Sequence, residues 1–209
     1  GLHHMLTQVD VADVSGINGV AWDAVELPSQ FLENWCWDPE SLALIARHHE
    51  TGEPLPADML ERMLAARNFQ SGMQMVRQLE FSLFDFRLHT DYSPENPVEP
   101  LDLLGRVRDQ VAVVRPPEFN RFPHSFGHIF AGPYAAGYYS YKWAEVLAAD
   151  AFSLFEERGI FDPEAGRAFR ENILEKGGSR EPAELYRAFR GREPSEEPLL
   201  RQSGILDRS

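Results

Sequence analysis

An all-α fold, a helical bundle-like unit, is predicted by three features of the sequence. Apolar residues recur at three- and four-residue spacing along most of the chain. Runs that alternate apolar and polar residues are scarce. Clusters of Gly, Pro and Asn cut the periodic stretches into helix-sized pieces. The 209 residues are 43% apolar and 25% charged, which is enough to bury a core. That length suits one domain or one large subdomain, and residues 1–209 are read as a single portion.

Residues 2–9 read as the end of a helix. The pattern is already running at residue 2 and no cap signal precedes it, so the chain is expected to start inside a helix. Residues 10–23 read as a loop, from Gly16, Asn18 and Gly19. A helix over about 24–37 follows, with Pro28 near its start, where a missing N–H costs little. The next runs over about 39–49 and stops at Glu50-Thr51-Gly52-Glu53-Pro54. Residues 57–90 carry the longest pattern, from Met59, Leu60, Met63 and Leu64 through Leu79, Leu83, Phe84 and Phe86. Residues 91–97 break it, and a helix over 100–113 comes next. The Pro- and Gly-rich stretch 116–137 is too long for a simple connector, and ordered loops of that length tend to be functional. Helices resume over 139–157, 163–176 and 181–190, ahead of a tail with a short apolar end.

The net charge of −13 argues against nucleic-acid binding, which needs a basic footprint, and against anchoring to anionic lipid. No apolar run approaches the roughly 20 residues that span a bilayer. Cys36 is the single cysteine, so no disulfide can form within the chain. Its neighbours Trp35 and Trp37 suggest a buried thiol. Gly1-Leu2-His3-His4 has neither the basic nor the apolar segment of a signal peptide, and a cytoplasmic location is expected.

Three segments could carry chemistry. Glu26, Gln30 and Glu33 are spaced to share one helix face. That face is either a solvated acidic surface or a set of partly buried groups that need cations, donors or a metal. The stretch Phe126 to Tyr141 carries His128, Tyr134, Tyr138, Tyr139 and Tyr141 among small residues. It is either an aromatic packing cluster or a set of N–H and O–H donors suited to a developing oxyanion. His3 and His4 form a weak metal motif, because adjacent helical residues point in different directions.

Together these segments resemble the thimet oligopeptidase and oligopeptidase A family of zinc metallopeptidases, above all its bacterial oligopeptidase A branch. Gly1-Leu2-His3-His4-Met5-Leu6-Thr7 resembles the stretch after the family's His-Glu-x-x-His motif. Trp22 to Trp35 is similar to its downstream ligand helix, and Phe126 to Tyr141 to its substrate loop. Phe189-Arg190-Gly191-Arg192-Glu193-Pro194 is similar to its C-terminal signature.

The resemblance implies a helical C-terminal catalytic subdomain, with a small β-hairpin near residues 11–22 as an option. It makes Glu26 the third zinc ligand beside two histidines that lie outside this sequence. Asp23 and Glu33 become groups that orient the ligand imidazoles. His128 and Tyr134 become donors to the tetrahedral intermediate, Tyr138 and Tyr141 position the peptide, and Gly132 and Gly137 give the loop mobility. The implied activity is zinc-dependent hydrolysis of short peptides. The chain alone is expected to be inactive, with zinc absent or weakly held, and to self-associate through an exposed channel face. The alternatives are a non-catalytic peptide-binding module and a helical interaction domain.

Overall fold

The computed structural model describes residues 1–95 and 97–206. The chain is all-α: α1 Leu2–Leu6, α2 Trp22–Val25, α3 Leu27–Glu33, α4 Pro39–Ile45, α5 Ala57–Ala66, α6 Ser71–Asp91, α7 Pro100–Val111, α8 Gly127–Phe130, α9 Ser140–Arg158, α10 Pro163–Phe169, α11 Pro182–Arg190 and α12 Glu197–Gln202. It divides into two compact units. Residues 1–69 and 143–209 make the first, and residues 70–142 the second.

In the first unit, α3, α9, α10 and α11 share one core. Phe31 stacks on Phe169 with ring centroids 4.0 Å apart. Leu147, Ala151, Phe152 and Phe155 line the buried side of α9. Asp162 caps α10 by accepting from the Ala165 N–H at 2.7 Å. The α10 helix then runs into a π-helical turn at Arg170–Leu174. The C-terminal motif has a clear structural purpose. Gly191 closes α11 in the left-handed conformation at φ 77°. This turn brings Arg192 back onto Asp150 of α9, which has no exposed surface. Arg192 grips both oxygens of that carboxylate, at 2.5 and 3.0 Å, and the Tyr186 hydroxyl donates to it at 2.6 Å. A buried carboxylate is tolerated where its oxygens are matched in this way.

The second unit is built on α6 packed against α7. Its core joins Phe84, Leu88, Leu103, Leu104 and Val107 to Phe126, Ile129, Tyr134 and Tyr138 from the long loop.

Several boundaries differ from the sequence reading. The optional hairpin at residues 11–22 is not formed. Those residues make a 3-10 turn at Ala12–Val14 and tight turns at Gly16 and Gly19, both at positive φ. Their backbone pairs elsewhere: the Val14 carbonyl accepts from the Gly178 N–H at 2.9 Å. A Cβ at Gly177 would meet that carbonyl oxygen at 2.5 Å, so the close approach needs glycine. The expected helix over 24–37 is divided at Glu26 and tightens to a 3-10 turn over Asn34–Trp37. That turn sends Trp35 into the Phe31–Phe152–Phe155 cluster and leaves Cys36 exposed, against the expectation of a buried thiol. The long pattern over 57–90 is two helices, parted where Gln70 takes φ 55°.

Candidate functional site

Glu26 sits between two helices of the first unit. It ends α2 and opens α3 at φ −87° and ψ −4°, with Pro28 in the first turn of α3. Ala24, Leu27 and Phe31 around it are buried, so the local helices are pinned to the core while Glu26 stays half-buried. The Ser29 hydroxyl reaches the Glu26 carboxylate at 2.7 Å and its carbonyl at 3.0 Å. Asp23 is half-buried in α2, and Glu33 is exposed at the end of α3. The acidic face is therefore split between a half-buried pair, Glu26 and Gln30, and a solvated end.

His3 and His4 are in the same unit. His4 leans on the turn at Gly16, where an added Cβ would lie 2.2 Å from its Nδ1. His3 is half-buried against Val20, Ala24, Leu27 and Ile173. Burial, then the charge of His4, lowers its pKa, while a hydrogen bond to the Ile173 backbone opposes the shift.

The second unit gathers the His–Tyr loop. Phe122, Phe126 and Ile129 anchor it in the core. His128, on α8, is exposed, whereas Tyr134 and Tyr138 are buried. The His128 ring lies 6.4 Å from Tyr134, 5.6 Å from Tyr138 and 5.9 Å from Tyr141. Tyr134 stacks on Tyr141 at 4.7 Å. Sequence reasoning named these four residues, and the fold brings them into one cluster. The ring geometry makes it an aromatic cluster around one imidazole.

The two glycines assigned to the loop differ in what they do. At Gly132 a Cβ would come within 2.8 Å of the His128 carbonyl oxygen, so glycine is required by a close approach. At Gly137 the nearest atom would be 3.5 Å away, an ordinary contact. The turn's left-handed residue is instead Ala136, at φ 56°.

Three residues of α6 that sequence reasoning passed over hold this loop. Glu80 and Asp85 are each 1% exposed. Glu80 accepts from Arg77 at 2.6 Å and from Arg108 at 2.9 Å, and Arg108 also donates to Asn120 at the start of the loop. Asp85 accepts from the Ala136 and Tyr138 N–H groups at 3.0 and 2.8 Å. Gln78 accepts from the Tyr138 hydroxyl at 3.1 Å. The available signal was a pair of acids inside apolar runs, Leu79-Glu80-Phe81 and Phe84-Asp85-Phe86.

A catalytic zinc site takes three protein ligands and keeps one position open. Among the described residues, no group of three or more His, Cys, Asp or Glu side chains could hold a metal ion. Glu26 offers one carboxylate, already shared with Ser29. The described residues therefore do not fit a zinc ion as a complete set.

The family model for peptidase family M3 matches residues 1–205. The chain is 61% identical over 205 residues to oligopeptidase A of Salmonella typhimurium. It is 60% identical over 205 residues to oligopeptidase A of Escherichia coli. Each of these alignments covers 98% of this chain and 30% of the relative. Organellar oligopeptidase A of Arabidopsis thaliana is 53% identical over 209 residues, 98% of this chain and 26% of the relative. The chain thus spans about a third or less of the length of these curated relatives. With a match running over nearly every residue, the chain belongs to peptidase family M3.

Proposed function

We propose that these residues form part of a zinc-dependent metalloendopeptidase that hydrolyses short oligopeptides. The observation that carries the reading is the roughly 60% identity to oligopeptidase A along 98% of the chain. The His128–Tyr134–Tyr138–Tyr141 cluster is the part of the chain suited to the peptide. In this reading His128 and Tyr134 donate to the oxyanion of the tetrahedral intermediate, Tyr138 and Tyr141 position the peptide, and Gly132 and Gly137 give the loop its mobility. Glu26 is the third zinc ligand, with Asp23 and Glu33 orienting its neighbours. The 209 residues alone supply one such ligand, so the isolated chain is expected to hold zinc weakly at most and to be inactive.

The test is Tyr134→Phe in the longest natural form of the protein, assayed with a short fluorogenic peptide. Loss of one oxyanion donor should lower kcat by about 10²–10³. An unchanged kcat would remove Tyr134 from the chemistry.

Self-association is part of the same proposal. The expected contact is the exposed channel face; in the second unit Val113, Val114 and Phe119 are 69%, 69% and 80% exposed. Light scattering at high concentration should report a dimer or larger species, and a monodisperse monomer would count against it. A cytoplasmic location is also proposed, on the single cysteine, and cell fractionation would test it.

A further inference from the structure

Asp85 lies between Phe84 and Phe86 on α6, and its side chain is sealed from water. An ionised carboxylate in such a place is costly unless donors surround it. Here the donors come mainly from the His–Tyr loop. One oxygen accepts from the Ala136 N–H at 3.0 Å and the other from the Tyr138 N–H at 2.8 Å. His89, one turn along α6, places Nδ1 3.0 Å from the first oxygen and 2.8 Å from the Asp85 carbonyl.

The two loop amides flank a strained point. Ala136 is held at φ 56°, a conformation that residues with a Cβ avoid. Such strain persists only where surrounding contacts over-determine it. The Asp85 carboxylate is one such contact, because its two oxygens fix the direction of two N–H groups two residues apart. A second lies on the same helix: Gln78 accepts from the Tyr138 hydroxyl at 3.1 Å. Residues 78 and 85 are seven apart, two turns along one face of α6. The helix therefore holds Tyr138 by backbone and by side chain. Tyr134 enters the same turn through Gly137, whose N–H donates to the Tyr134 carbonyl at 2.8 Å.

We infer that Asp85 is a positioning residue for the peptide loop: its buried carboxylate, with Gln78, fixes the turn that sets Tyr134 and Tyr138 against His128. This rests on reading that loop as the substrate loop. Asp85 touches no substrate; it acts through the loop backbone. A misplacement of about 1 Å in such a loop can cost on the order of 10²-fold in rate.

The experiment compares Asp85→Asn, Gln78→Leu and Tyr134→Phe in the longest natural form of the protein. It reads kcat and KM on a short peptide, and amide hydrogen exchange at residues 136 and 138. For Asp85→Asn, which keeps one acceptor oxygen of two, the expected result is a fall in kcat of about 10- to 100-fold, little change in KM, and lost protection at one or both amides. Gln78→Leu, which leaves the buried carboxylate in place, should act in the same direction by a smaller factor. It carries the test alone if Asp85→Asn does not fold. An unchanged kcat in the folded variants, while Tyr134→Phe still lowers it, would overturn the positioning role and leave the loop assignment standing. If Tyr134→Phe is also without effect, or the wild type cleaves no peptide, the loop assignment itself fails and this inference goes with it.

Discussion

His3 shows how one side chain couples stability to pH. It is half-buried against apolar neighbours, and burial holds its pKa below the usual 6.5. The folded state therefore binds the proton more weakly than the unfolded state. The stability it contributes is present above about pH 6.5 and is lost as pH falls below that value toward the folded pKa. In urea melts between about pH 7.5 and about pH 5.5, His3→Gln should lose less stability than the wild type. Equal losses would show that His3 plays no part in the acid response. Other residues were open to sequence reasoning to different degrees. His128, Tyr134, Tyr138 and Tyr141 could be named because they crowd into one short stretch, and the fold does cluster them. Asp85 stood out only as an acid between two phenylalanines and Gln78 not at all, and the loop contacts of neither could be read. Their partners lie 51 to 60 positions away, and periodicity along a helix says nothing about such contacts.

At the scale of elements, the helices were legible where apolar spacing was long and unbroken. The α7, α9 and α11 helices lie close to the expected ranges. The missed helix breaks have one physical origin. Backbone that departs from the α conformation for a few residues leaves the apolar spacing almost intact. Gln70 at φ 55° and the Asn34–Trp37 turn are of this kind, and neither carries a Gly or Pro as a signal. The C-terminal motif is better understood from its contacts. Arg192 is the main cationic partner of the Asp150 carboxylate, which lies wholly inside the first unit. The hydrogen bond to Asp150 raises the pKa of Arg192 and outweighs its own burial. Arg192→Ala leaves that carboxylate with the Tyr186 hydroxyl but without its bidentate partner. It should destabilise the protein by on the order of 3 kcal/mol, measured by chemical denaturation. A change below about 0.5 kcal/mol, typical of an ordinary surface site, would show that the motif does not hold α11 to α9.

At the scale of the molecule, the all-α class followed from composition and spacing, and the family from four short motifs read in order. The division into two compact units was not legible, because no linker-like composition marks the boundary near residue 70 or the one in the first turn of α9. Glu26 belongs to one unit and the His–Tyr loop to the other. The ligand role proposed for Glu26 and the donor role proposed for the loop can therefore be tested separately. The measurement that bears most directly on the proposed enzyme is zinc content and peptide hydrolysis of Glu26→Gln in the longest natural form of the protein. If Glu26 is a ligand, zinc should fall well below about one ion per chain and hydrolysis should be lost, with the fold retained by circular dichroism. A variant that keeps both its zinc and its activity would contradict the account.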